Sequence, residues 1–234
     1  MSQNSVPAVV APVIAIDGPA GAGKSSASRA LARRLGFFLL DTGALYRALA
    51  LLALEEGIAW DDEGRLAERA ASMDISFSED ADEPRVLLAG RDVSGAIRTP
   101  EISDGASRVS ALPAVRTALL ALQQSIARRG RCVVEGRDIG TVVLPWAPLK
   151  FFVTASVEER ARRRHRELLA RGQVVELAEV EAEIRERDRR DETRATAPLR
   201  RADDALLVDT SASTLDEVID RLEREARARF SLDV

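Results

Sequence analysis

Lysine is nearly absent from this chain. Of its 34 basic residues two are lysines, Lys24 and Lys150, and 32 are arginines. Cysteine is limited to Cys132, which excludes an intramolecular disulfide and a cysteine-rich zinc site and suits a reducing cytosol. The single histidine, His165, leaves no Ser-His-Asp or Cys-His set to assemble. The single asparagine, Asn4, removes the Asn-Lys-x-Asp segment with which a GTPase switch reads guanine. Long apolar runs are missing too: the most apolar helix candidate, 44–54, is shorter than the roughly 20 residues of a bilayer span, and it carries Arg47. The opening MSQNSVPAVVAP has no basic n-region, so residues 1–12 are expected to be a flexible tail rather than a signal peptide. A formal net charge of −4 supplies no general attraction to nucleic acid. Neither nucleic acid nor a membrane is expected as a partner. A cytoplasmic monomer is expected.

What the chain does have is a regular alternation of short apolar runs and helical segments. The runs at 13–16, 37–40, 132–135, 150–154 and 205–209 read as buried parallel strands. Helices are expected over 25–35, 44–54, 63–72 and 113–129, the second capped by Thr42 and closed by Gly57. A last helix carries Leu215, Val218, Ile219 and Leu222 on one face. Between 74 and 95 the character changes to alternating segments, a small antiparallel meander. The pattern predicts an α/β three-layer fold with a five-stranded, mostly parallel sheet. Ligands in such sheets gather at the carboxyl ends of the strands. The polar tails Asp17-Gly18, Asp41-Thr42, Gly136-Arg137-Asp138 and Thr154-Ala155 are therefore expected to line one crevice.

The segment Gly18-Pro19-Ala20-Gly21-Ala22-Gly23-Lys24-Ser25 fits G-x-x-x-x-G-K-[ST] between a strand and a helix. Its glycines let backbone N–H groups curl toward an anion. The following helix adds free N–H groups and the positive end of its dipole. Lys24 offers a compact ammonium to the β- and γ-phosphates of a nucleotide, and the Ser25 hydroxyl is placed for Mg²⁺; the loop alone suits switches, motors and kinases alike. In a chain so committed to arginine, a lysine here marks a site where a flat guanidinium does not replace a point charge. Lys150 has no such support and reads as a surface lysine at a strand end.

Other segments bring Thr42, Tyr46 and Arg47 beside that loop, and Arg137 and Asp138 to the end of the third run. They also bring Arg187, Arg190, Asp191 and Arg194 to a charged helix pair around Gly172. Asp138 reads equally as a turn-former or a ligand. Most arginines of 157–201 read as a solvated, ion-paired face. Arg187, Arg190 and Arg194 are set apart by spacings of three and four, which place them on one helical face. The candidates are cations and small hydroxyls, without a general base. An acceptor that is itself a phosphate needs no base, only alignment and relief of anionic repulsion. The pattern points to transfer between two phosphates.

Together IDGPAGAGKS, LDTGALYR, DVSGAIRTPEISDGAS, VEGRDIGTVV and IRERDRRDETRATAPL resemble the bacterial cytidylate kinase family, in order over nearly the whole chain. The resemblance implies a P-loop core (13–60, 110–155 and 202–234), a nucleoside-monophosphate-binding insertion (61–109) and a lid with an arginine-rich helix (156–201). It implies transfer of the γ-phosphate of ATP to CMP or dCMP with Mg²⁺. By family match, Ser107, Arg116 and Asp138 correspond to cytosine-recognising positions, and Arg47, Arg137 and Arg194 to phosphate-binding ones. Arg187 and Asp191 correspond to positions near the ribose and the transferred group. Thr42 stands where the family often has Ser. On their own, Ser107 and Arg116 read as a helix-end hydroxyl and a polar-face arginine.

Overall fold

The computed structural model describes residues 11–78 and 85–232. The tail expected over 1–12 lies outside these residues except for Ala11 and Pro12. Strands β1 (Val13–Asp17), β2 (Phe38–Asp41), β6 (Cys132–Gly136), β7 (Leu149–Thr154) and β8 (Leu206–Asp209) form one sheet in the order β2-β6-β1-β7-β8. Every pairing in it is parallel, as expected. A second, antiparallel sheet joins β3 (Ile75–Phe77), β4 (Val86–Leu88) and β5 (Arg91–Asp92), the predicted meander.

Continuous apolar runs suit strands buried on both faces, and all five residues of β1 and of β6 are buried. Helices α1 (Lys24–Leu35) and α8 (Leu215–Phe230) pack on one face of the sheet. Val218, Ile219 and Leu222 are buried in α8, while Leu215, on the same face at the first position of the helix, is 47% exposed. As the first residue of α8 it projects from the end of the helix toward the cleft described below.

Helices α2 (Thr42–Glu55), α3 (Glu63–Ser72), α4 (Pro100–Val109) and α5 (Pro113–Ala127) share a second core with the meander. Asp41, not Thr42, caps α2, because its carboxylate accepts the Ala44 N–H. The Thr42 hydroxyl instead donates to the Glu135 carbonyl at 2.7 Å and ties α2 to β6. The charged pair α6 (Val157–Ala170) and α7 (Leu177–Thr193) holds a small core of its own around Ala161, Leu168, Val180 and Ile184.

Lys150 is not at the surface. Its side chain is 7% exposed, and its ammonium donates to the Pro145 carbonyl at 2.8 Å and pairs with Asp204. Cys132 is buried, and burial pushes its thiol up to about 12. His165 is partly buried, its ring nitrogen 2.9 Å from the Val175 carbonyl.

Candidate active site

The register sets the carboxyl ends of the central strands level: Asp17 pairs across with Gly136, and Asp41 with Glu135. A cleft of about 1100 Å³ opens above them. Its wall includes Ala20–Ser25, Thr42, Tyr46, Arg47, Ser107, Arg116, Arg137, Asp138, Arg187, Arg190, Asp191 and Arg194. The candidate residues thus converge on one space from seven elements, apart from Gly18 and Pro19. Asp17-Gly18 and Thr154-Ala155, expected to line it, are not part of its wall. A Cβ on Gly18 would sit 1.9 Å from the Val153 carbonyl oxygen, so the loop is seated directly on β7.

The loop turns on Gly18, Gly21 and Gly23, whose φ values of 146°, 75° and 84° lie where side chains are strained. Three of its carbonyls are engaged by donors. Pro19 accepts from Lys24 at 2.6 Å, Ala20 from Arg160 at 3.1 Å and Ala22 from Thr210 at 3.1 Å. Gly23 caps α1 without a side-chain bond, and its first turn holds no acid. Among the described residues, no side-chain cap and no first-turn acid competes with an anion for the first N–H groups of α1 or for its dipole.

Lys24 is 6% exposed. Burial, then the charges of Arg137 and Arg187, lower its pKa well below the usual lysine value, against the pull of Glu135 and Asp17. Glu135, one residue before the end of β6, lies opposite Asp41. Burial and the Asp41 charge raise it to about 7, although Lys24 and a hydrogen bond from Ser25 oppose this. The Glu135 Oε2 is buried with no hydrogen-bond partner among the described residues.

Across the cleft the cations are held by acids. Arg47 pairs with Asp41, and Arg137 Nε donates to Asp191 at 2.9 Å. Arg116 and Arg194 both pair with Asp138, Arg194 at 3.2 Å, and the Arg116 guanidinium also lies 5.7 Å over the Tyr46 ring. Arg194 is the residue just after α7 rather than part of its helical face, and it is anchored by the Ala197 carbonyl at 2.6 Å. Burial raises the Asp191 carboxyl, but the charges of Arg137 and Arg187 outweigh this and hold it low. Arg187 is pushed down to about 10 by burial and by Arg137.

Unpaired polar atoms concentrate here. Among the described residues the buried side-chain atoms without a partner include Arg47 Nε, Ser107 Oγ, Arg187 Nε, Arg190 Nε and Glu135 Oε2, all on cleft residues. Buried polar groups are normally satisfied, so this clustering marks a surface shaped for a polar ligand.

Sequence reasoning missed two contributors. Glu135 is not marked out in the sequence, since burial near a strand end is not visible in VVEGRD. Arg160 lies in an arginine run, yet it alone of that run is buried in a two-pronged pair with Asp188 at 2.9 and 2.6 Å while holding Ala20. No local pattern separates it from Arg162, whose side chain is 63% exposed.

The family model for cytidylate kinase matches residues 14–228. A cytidylate kinase of Geobacter sp. (strain M21) is 50% identical over 219 residues, 94% of each chain. One of Methylococcus capsulatus is 52% identical over 89% of this chain and 93% of its own length. A solved structure of an uncharacterized protein from Eubacterium ventriosum aligns over 93% of this chain and 99% of its own with a TM-score of 0.53 and 12% identity, a likeness of fold alone. With that match spanning all but the chain's ends, and with a phosphate loop facing a buried arginine cluster, this chain belongs to the cytidylate kinase family.

Proposed function

We propose that the cleft transfers the γ-phosphate of ATP to CMP or dCMP, giving CDP or dCDP and ADP. The observation that carries this reading is the opposition of two anion sites in one cleft. An uncapped phosphate loop faces a cluster of arginines whose free N–H groups and carboxylate partners suit a second, base-bearing phosphate. On this reading the loop amides and Lys24 hold the ATP phosphates. Arg47, Arg137 and Arg194 take the acceptor phosphate, and Thr42 supports that end of α2. Arg187 and Asp191 lie nearest the transferred group and ribose. Ser107, Arg116 and Asp138 read the cytosine edge: a guanidinium donates, and a carboxylate accepts from an exocyclic amine. The ionised phosphate oxygens of the acceptor attack without a general base, so catalysis is alignment and charge stabilisation.

The reading includes Mg²⁺. The exposed Ser25 hydroxyl and Glu135, whose buried Oε2 has no partner among the described residues, both line the cleft, a donor set suited to a hard cation and its water shell. When bound, the ion would neutralise charge on the β- and γ-phosphates. We further propose that 61–109 and 156–201 act as the acceptor-binding insertion and the lid on the core of 13–60, 110–155 and 202–234. The separate small core of α6 and α7 supports the second of these. A monomer in the cytoplasm fits a cleft built from one chain, and no helix among the described residues is long and apolar enough to cross a membrane.

A coupled assay of ADP release across CMP, dCMP, UMP, AMP, GMP and shikimate tests the proposal. Turnover with the cytidylates is expected to dominate. Activity confined to another acceptor would overturn the substrate assignment.

A further inference from the structure

The turn that carries Arg137 and Asp138 continues into one wide, π-type helical turn, Ile139–Val143. The first amides of any helical turn lack partners within it and need a cap. Asp138 occupies the capping position, with φ −142°, but its carboxylate makes no capping bond because Arg116 and Arg194 hold it. The capping is done from another strand. Asp17, the last residue of β1 and 3% exposed, accepts the Ile139 N–H on one oxygen and the Gly140 N–H on the other, each at 2.7 Å.

Lys150 closes the other side. A Cβ on Gly140 would lie 3.0 Å from the Lys150 Cδ and 3.3 Å from the Asp17 carboxylate, so only glycine fits between them without a shift. The Lys150 ammonium is in turn fixed by Pro145 and Asp204. The chain's second lysine thus packs its stem against the same turn.

We propose that Asp17 is a positioning residue for the acceptor side of the cleft: by capping the 139–140 amides from β1, it releases the Asp138 carboxylate to face Arg116 and Arg194. Burying a carboxylate away from water is unfavourable, and its hydrogen-bond partners here are two backbone amides rather than a side-chain cation. The arrangement also ties the two halves of the site together close to their bases, since Asp17 precedes Gly18 of the phosphate loop and is hydrogen-bonded to the 139–140 turn. The inference rests on reading the Asp138 side of the cleft as the cytidylate site.

Asp17→Asn tests it, because the amide retains one acceptor and places an NH₂ against a backbone N–H. Nucleotide binding to the full-length protein is measured by titration calorimetry, and exchange of the Ile139 and Gly140 amides by NMR. CMP affinity is expected to fall about tenfold or more, as for a lost charge-assisted hydrogen bond. ATP affinity is expected to stay within about twofold, and the two amides to exchange faster. An equal loss of ATP affinity, or unchanged CMP affinity, would show that Asp17 does not position the acceptor turn. The exchange arm needs no nucleotide: unaltered protection overturns the cap even if another monophosphate proves to be the acceptor. Should Asp17→Asn fail to fold, Gly140→Ala presses on the same contact and is expected to give the same split.

Discussion

Arg116→Met separates what the Arg116–Asp138 pair does for stability from what it does for the ligand. The pair is almost completely buried, with side chains 8% and 7% exposed. Removing one partner of a buried ion pair costs about 3–5 kcal/mol, because the remaining charge is left uncompensated. Here Arg194 still holds Asp138 Oδ1 at 3.2 Å, which places the loss below that range, at about 2–3 kcal/mol. For a chain of this length each kcal/mol lowers Tm by about 2–4 °C, so a fall of about 4–12 °C is expected. Methionine also removes the guanidinium from over the Tyr46 ring and its bond to the Ser110 carbonyl at 3.1 Å, so the loss reports on the charged group as a whole. CMP binding should lose a charge-assisted hydrogen bond, about 1.5–3 kcal/mol, or about 10- to 150-fold in affinity. Adding Asp138→Asn removes the orphaned charge. The double variant should recover part of the Tm while CMP affinity stays low. Thermal melts and CMP titrations on wild type, both single variants and the double decide the matter. An Arg116→Met protein with unchanged Tm and unchanged CMP affinity would refute the reasoning.

Lys24→Ala should lower kcat by about two to three orders of magnitude, the scale of losing one preorganised electrostatic donor; near-wild-type turnover in the ADP-release assay would remove Lys24 from the chemistry. Glu135→Gln should raise the Mg²⁺ concentration needed for half-maximal rate by about tenfold or more, and an unchanged Mg²⁺ dependence would separate Glu135 from the metal. Asp17 is raised by burial from 3.8 to about 6, so the folded state holds its proton more tightly than the unfolded chain. Its contribution is complete below the unfolded value and is lost as pH rises through about 6, roughly 3 kcal/mol in all. Between pH 4.5 and 7 the Tm of wild type should therefore fall relative to that of Asp17→Asn; parallel Tm–pH curves for the two proteins would contradict this.

Much of the fold was legible because its signals are local. Apolar runs, Pro100 behind Thr99, and the Gly36 and Gly57 stops lie within a few residues of the boundaries they set. The phosphate loop was legible for the same reason: its function resides in eight consecutive residues. What escaped was decided by residues far apart in the chain. Lys150 meets Asp204, and Asp17 meets Ile139 and Gly140 more than a hundred positions away. Neither partnership leaves a trace in local pattern, so the lysine read as exposed and the aspartate as a crevice-lining tail. Ser107 and Arg116 became candidates only through family resemblance. Arg116 lies on a helix whose periodicity marks it as polar, and it is buried because Asp138 arrives from β6 to meet it. Asp41 took the capping role expected of Thr42 because the Thr42 hydroxyl is pulled toward the Glu135 carbonyl.

The arginines of the cleft differ in one respect that orders their roles under the proposed reaction. Arg47, Arg116, Arg137, Arg190 and Arg194 each have an acid partner in the protein. Such a guanidinium is partly neutralised in advance and is held in a fixed orientation, which suits recognition of a ligand in its ground state. Arg187 is different: it faces Arg137, Arg47 and Arg190, is helped only at a distance by Asp191, and has a buried Nε with no partner. Its pKa is lowered to about 10 by burial first, and then by repulsion from the neighbouring arginines that Asp191 only partly offsets. An added anionic charge close to Arg187 relieves that repulsion, and the relief grows as charge builds on the moving phosphoryl oxygens. Interactions that strengthen toward the transition state accelerate the reaction, whereas those already complete in the ground state only bind. Under the proposed reaction, the arginine without an acid partner among the described residues, rather than the paired ones, is therefore where the cleft's electrostatics would favour transfer over binding.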